Sequence, residues 1–263
     1  MYPYGVLDVL NGFIIVIIGL LAGFTGTLLG IGGGSIATPL LVVLGYDIKL
    51  VVPASLVAIM GTSAGGLHRL YEHGYVNVKI ALLLEILSIA GAISGVFLAV
   101  NLPSRSLEKL LGVTLIIASI GVLVHKSERE VSPKSSVNKG TIQYFITAII
   151  FLVAGFISST AGIGGGIIKV PAMILVLGLP IKTAIATSKL MVGITALSGV
   201  LTYAFCRAID LSLSILLLIG TYTGATISSR LFIKIPAKIV KYIAVTFYLI
   251  MSFVILARAS FLL

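Results

Sequence analysis

Two glycine clusters interrupt an otherwise apolar chain, and they constrain its fold more than any other feature. The first is Gly30-Ile31-Gly32-Gly33-Gly34, followed by Ser35-Ile36-Ala37-Thr38-Pro39. The second is Gly162-Ile163-Gly164-Gly165-Gly166, followed by Ile167-Ile168-Lys169-Val170-Pro171. Each glycine lowers helix stability by roughly 1 kcal/mol relative to alanine, so a helix is expected to break at both clusters. A break within hydrocarbon leaves backbone N–H and C=O groups without partners, at several kcal/mol per group. It persists only where protein, a water-filled cavity or a ligand satisfies them. The two breaks are therefore expected to line a binding site.

The setting of the breaks follows from composition. The chain is 59% hydrophobic and 10% charged, with a mean hydropathy of +1.21. Soluble domains carry about 25% charged residues. Most stretches between charges reach the roughly 20 apolar residues that cross a bilayer. The sequence describes an all-α polytopic membrane protein. Its net charge of +10 sits mostly in loops, where basic residues orient helices, so nucleic-acid binding is the wrong reading. The single cysteine, Cys206, excludes an intramolecular disulfide and argues against a metal cluster. The N-terminus lacks a basic n-region and a cleavage site, so the first apolar run is read as a retained helix.

The hydrophobic segments run over 7–29, 35–44, 51–70, 78–100, 107–124, 142–161, 167–177, 184–205, 211–231 and 239–256, giving 8–10 elements according to how the short ones are counted. The stretch 125–140 is polar and charged and is the one linker. It divides the chain into a first membrane repeat (1–124) and a second (141–263). The second copies the first. Gly23-Phe24 aligns with Gly155-Phe156, and Pro39 with Pro171. After one added residue near Gly178, Ser55 aligns with Ser188, Gly66 with Gly199, Gly91 with Gly224 and Pro103 with Pro236.

A ten-residue helix is about 15 Å long, half the hydrocarbon thickness. Each glycine cluster is thus expected to join a long helix to a half-helix near mid-membrane. The pair either re-enters or crosses twice; each half then crosses three or five times. An odd repeat inserts its second copy upside down, giving two inverted-topology repeats. The basic residues agree. With the linker cytoplasmic, Arg69, Lys79, Lys126, Arg129, Lys134, Lys139, Lys182, Arg230, Lys234, Lys238 and Lys241 lie inside. Lys49, Arg105, Lys109, Arg207 and Arg258 lie outside, as do both termini. Inverted repeats with broken helices meeting at the midplane are the architecture of many secondary transporters.

Half-helices starting near Ser35 and Ile167 present free amides and a positive dipole end, which suits an anion. Gly32, Gly33, Gly34, Gly164, Gly165 and Gly166 let backbone approach the ligand. Ser35, Thr38, Ser55, Thr187 and Ser188 add hydroxyls. Lys169 and Lys189 are candidate counter-charges, against the alternative that they snorkel to an interface. Glycines also serve plain helix packing, but two symmetric clusters favour a site. Glu85 is read as an interfacial partner of Arg69 or Lys79, with a proton relay as the sharper alternative. Thr62 and Ser63 are expected to hydrogen-bond between helices. His68, Arg69, Glu72 and His73 read as a solvated helix end.

The glycine cluster with a proline five residues on (Gly34 to Pro39, Gly166 to Pro171) resembles the TauE/SafE family of membrane proteins. So do Ala186-Thr187-Ser188, degenerate in the first half as Pro53-Ala54-Ser55, and the stretch from Gly65-Gly66-Leu67-His68-Arg69 to Gly74-Tyr75-Val76. The resemblance spans roughly 19–253. It implies a permease for sulfite, sulfonates such as sulfoacetate, or related organosulfur anions, often an exporter. Lys189 and Ala54 depart from the family pattern, so no family role is carried onto them.

The expectation is a plasma-membrane secondary transporter, exporting a small sulfur-containing oxyanion by alternating access. No cofactor, metal or catalytic residue is expected. The partners are the anion, the bilayer and a coupling ion such as a proton; no phosphate-binding Gly-x4-Gly-Lys-Ser/Thr motif is present. The alternatives are a membrane-embedded enzyme and a non-transporting assembly or regulatory protein. The first lacks His-Glu-x-x-His, paired carboxylates or a Cys/His set. The second has no need of broken helices.

Overall fold

The computed structural model describes residues 9–124, 141–231 and 237–261. The linker expected at 125–140 lies outside the described residues. The first half contains α1 (Val9–Leu29), α2 (Gly34–Val43), α3 (Ile48–Glu72), α4 (Val78–Asn101) and α5 (Ser104–Val124). The second contains α6 (Thr141–Ala161), α7 (Gly166–Leu175), α8 (Ile181–Phe205), α9 (Leu211–Leu231) and α10 (Ala237–Phe261). Among the described residues there is no strand. Six helices, α1, α3, α4, α6, α8 and α9, are long and apolar enough to cross a membrane.

Local chemistry sets the helix ends. Asp47 opens α3 by accepting from the Lys49 amide at 3.0 Å. Asn77 opens α4 by accepting from the Ile80 amide at 3.1 Å. Both satisfy amides that have no partner in a helix's first turn. The short helices α2 and α7 start at the glycine clusters and have ten residues each. Pro39 and Pro171 fall inside them.

Polarity runs inside-out relative to a soluble protein. Phe13, Ile86, Phe145, Phe205 and Phe253 are exposed, whereas Thr27, Glu85, Ser88, Lys169 and Thr195 are buried. Lipid suits the first set, and internal partners the second.

The helix pairings of the two halves correspond. α1 packs on α9 as α6 packs on α4, and α3 packs on α9 as α8 packs on α4. α3 meets α8, and α5 meets α10. Small residues allow the closest of these contacts, as in helix pairs in lipid. Gly23 of α1 abuts the Thr221 carbonyl and Gly224 of α9 abuts that of Leu20. Gly91 of α4 abuts the Leu152 carbonyl and Gly155 of α6 abuts that of Ser88. For these glycines the plain packing reading is the right one.

Candidate functional site

The two breaks meet in the middle of the bundle. Gly30 and Gly32 have φ of +69° and +83°, and Gly162 and Gly164 have +68° and +71°, a region L side chains rarely enter. Gly34 lies against the Gly162 carbonyl, and Gly166 against the Gly30 carbonyl. No side chain fits between. Each of these carbonyls takes a hydroxyl from the opposite half. Thr38 donates to Gly162 O at 2.8 Å and Ser188 donates to Gly30 O at 2.8 Å. Ser35 donates to Gly32 O at 3.0 Å and accepts from the Tyr248 hydroxyl at 3.0 Å. Ser55, the counterpart of Ser188, is buried and its hydroxyl has no partner.

Apolar side chains cover the crossing. A Cβ on Gly32 would lie 3.2 Å from Val192 and 3.4 Å from Ile59, equivalent residues of α8 and α3. Neither half-helix has a side-chain cap. The Gly33 amide reaches Thr62 Oγ1 at 3.4 Å.

Two buried lysines flank this crossing, and neither snorkels. Lys169 of α7 donates to Glu85 Oε1 at 2.9 Å, to Glu85 Oε2 at 3.0 Å and to Thr195 Oγ1 at 2.5 Å. Thr195 in turn donates to Glu85 and lies 3.1 Å from Ser88 Oγ. The Phe151 ring stands 5.8 Å from the ammonium. Glu85 is therefore not an interfacial partner of Arg69 or Lys79. It sits 1% exposed in α4, because a buried ammonium draws the carboxylate inward.

Lys189 of α8 is 3% exposed and has no carboxylate partner among the described residues. Its ammonium donates to Thr27 Oγ1 at 2.7 Å and to Thr62 O at 3.3 Å, and Gly66 leaves it room. A lysine at mid-membrane depth costs about 3 kcal/mol on insertion scales, so an unneutralised one marks function by default.

Of the expected site residues, the structure brings Gly32, Gly33, Gly34, Gly164, Gly165, Gly166, Ser35, Thr38 and Ser188 to the crossing. Thr38, Ser35 and Ser188 spend their protons on backbone carbonyls there. Thr187 points elsewhere, accepting from the Asn77 amide at 3.0 Å. Ser63 bonds between helices, to Lys189 O at 2.7 Å. Thr62 donates within its own helix, to Ile59 O at 2.8 Å, and its hydroxyl accepts from the Gly33 amide at the start of α2 at 3.4 Å. His68 and Glu72 form an exposed pair at 3.2 Å. The sequence reading missed Thr27, Thr195, Ser88 and Tyr248. The repeat carried a signal for two of them. Thr195 is the counterpart of Thr62, and Ser159 that of Thr27.

A bundle of apolar helices built on two matching halves, with broken helices meeting around buried charge, defines a multi-pass membrane transporter. The family model for the sulfite exporter TauE/SafE matches residues 15–255, and the chain belongs to that family. It is 26% identical to "Probable membrane transporter protein YunE" of Bacillus subtilis, over 86% of this chain and 90% of that protein. It is 29% identical to "Probable membrane transporter protein MJ0441" of Methanocaldococcus jannaschii, over 72% and 71%. A "Probable membrane transporter protein" of Xylella fastidiosa is 29% identical, over 83% and 84%. No solved structure matches the chain.

Proposed function

We propose that the protein is a secondary transporter that exports a small sulfur-containing oxyanion, such as sulfite or sulfoacetate, by alternating access between inverted halves. The uncompensated Lys189 ammonium beside the first break carries this reading. A buried lysine without a counter-ion is favoured in its charged form once an anion binds beside it, which makes it a place for an anion. The Gly33 amide and the start of α2 lie against the same Thr62 that holds Lys189, adding partial positive charge. Movement of Ile59 and Val192 would open the amides of α2 and α7 to the anion.

Directions of packing support the inversion. Along α1 and α9 the contacts rise together, from Gly12 with Leu216 to Gly23 with Thr221, so the two run parallel. α4 and α6 do the same, from Gly91 with Leu152 to Gly95 with Phe156. α3 also runs parallel to α9, from Gly61 with Leu218 to Gly65 with Tyr222, so α1 and α3 point the same way and α2 turns back between them; α3 runs antiparallel to α8, from Leu56 with Gly199 to Gly66 with Lys189, so α6 and α8 point the same way and α7 turns back likewise. The two hairpins open at opposite ends of the bundle. With the linker cytoplasmic, the α1–α2 hairpin opens outward and both termini lie outside. Glu85, tied to Lys169 next to the second break, is the group through which a proton would couple.

An enzyme is disfavoured by the same geometry. Ser188 donates to Gly30 O while Lys189 donates to Thr27 and Thr62, so the adjacent pair forms no nucleophile–base dyad.

Flux into liposomes tests the function. Wild type should carry sulfite or sulfoacetate well above phosphate, and Lys189→Met should lower that flux at least tenfold. Full flux in Lys189→Met would remove the charge from the mechanism. Absence of flux for every sulfur oxyanion tried would remove the substrate class.

A further inference from the structure

A cavity of about 320 Å³ lies away from the crossing, between the α3–α4 loop and the start of α8. Tyr71, Tyr75, Asn77, Lys79, Pro180 and Thr183 line it. Three features make it more than a surface dent. Thr183 is 6% exposed, yet its buried hydroxyl has no partner. A buried hydroxyl without a partner costs about 1–3 kcal/mol unless something occupies it. The α8 N-terminus beside it is capped by Pro180, which supplies no side-chain acceptor for the first amides. The exposed Lys79, in the first turn of α4, has no acidic partner among the described residues. A free hydroxyl, an uncapped 25-residue helix and an ammonium are all donors. With an ammonium and uncapped amides among them and no carboxylate in the lining, they favour an oxyanion over a cation.

Asn77, in the cavity wall, connects it to the buried charge. Thr187 lies one turn beyond Thr183 on α8 and accepts from the Asn77 amide at 3.0 Å. The next two residues are Ser188, held to Gly30 O, and Lys189. One turn of α8 therefore ties the α3–α4 loop, the first break and the unneutralised ammonium together.

We propose that this cavity is an anion vestibule, an entry subsite where the oxyanion waits before reaching Lys189, with the Asn77–Thr187 hydrogen bond as the latch between them. Its anion-binding rests on the cavity alone; the identity of the anion, its passage to Lys189 and the side of loading rest on the transporter reading. Positive residues around it, including Lys79 and Lys182, place it on the cytoplasmic side in the orientation proposed above. That is the loading side for export.

The chain has no tryptophan, so one introduced residue is a clean reporter. Tyr71 is 59% exposed, and Tyr71→Trp should fold; Tyr75→Trp is a second reporter on the same cavity. The full-length protein in detergent is titrated with sulfite, sulfoacetate and sulfate, against chloride at equal ionic strength. Emission should change saturably with at least one sulfur oxyanion. Thr183→Val should weaken the midpoint about fivefold, the effect of one lost hydrogen bond. Lys79→Gln should weaken it further, whereas Lys189→Met should leave it within twofold. The vestibule is overturned if neither reporter responds to any oxyanion, if Thr183→Val leaves the midpoint in place, or if Lys189→Met abolishes the response. Liposome flux reads the deep site separately. Flux absent with the titration intact would sink the transport mechanism and the role of entry subsite, and leave an anion-binding cavity standing.

Discussion

Two corresponding side-chain pockets, both filled, flank the crossed breaks, and they hold charge in opposite ways. Thr27, Thr62, Gly66 and Lys189 line one. Their counterparts in the other are Ser159, Thr195, Gly199 and Leu56. The first pocket holds a bare ammonium. The second has an aliphatic residue at that position, a buried Ser159 hydroxyl without a partner, and Thr195 drawn into the Lys169–Glu85 pair. The same scaffold thus carries one neutralised charge and one left open. A neutralised pair can hold helices in register; an open charge can recruit an ion. The pairing also differs next to the breaks. Ser35 takes a hydrogen bond from Tyr248, where the corresponding residues, Ile167 and Leu115, are apolar and buried.

Glu85→Gln tests the neutralised pair and should have the largest effect. It strands Lys169 in a dry interior. Breaking a buried pair on one side costs about 3–5 kcal/mol, which should appear as a large fall in thermal unfolding temperature in detergent. Replacing both partners, Glu85→Leu with Lys169→Met, should recover most of that loss. An unchanged unfolding temperature in Glu85→Gln would end the distinction between the pockets.

Lys189→Met probes the open charge and should move stability the other way. Removing an uncompensated ammonium should stabilise the fold by about 2–3 kcal/mol, while anion flux falls. A variant that loses both stability and flux would mean that Lys189 holds structure, as Lys169 does.

Gly34→Ala and Gly166→Ala ask whether the crossing is as symmetric as its contacts. A methyl at either position meets a backbone carbonyl of the other half, so each should destabilise by about 1–3 kcal/mol. The two losses, measured by the same thermal scan, should agree within a factor of two. Tyr248→Phe is the smallest change. It deletes one buried hydrogen bond with no counterpart in the other half, at about 1 kcal/mol.

Glycine spacing and apolar length made much of this fold legible in advance. The breaks at 30–34 and 162–166, the ten-residue helices after them and the matching helix order of the two halves all follow from backbone propensity and segment length. The charge arrangement did not. Glu85 and Lys169 are separated by 84 residues, and nothing local to either reports a neighbour on another helix. Depth was the second blind spot. Lys189 lies seven residues past Lys182, close enough to an end to snorkel on spacing alone; Thr27 of α1 and Thr62 and Gly66 of α3 close around its side chain and bury it. Reading the repeat for its polar residues as well as its glycines would have singled out Thr62 with Thr195.

The contact between the glycine clusters also bears on how this chain could have diverged after duplication. Gly34 rests on the carbonyl of Gly162, and Gly166 on that of Gly30. A methyl acquired by one copy collides with the other, so neither can drift there by itself. The motif Gly-Ile-Gly-Gly-Gly stands in both, while three residues further on the two copies differ, with Ala37 in one and Lys169 in the other. Because each cluster is the other's wall, a change that widens one has to be matched across the dyad before either can accept it.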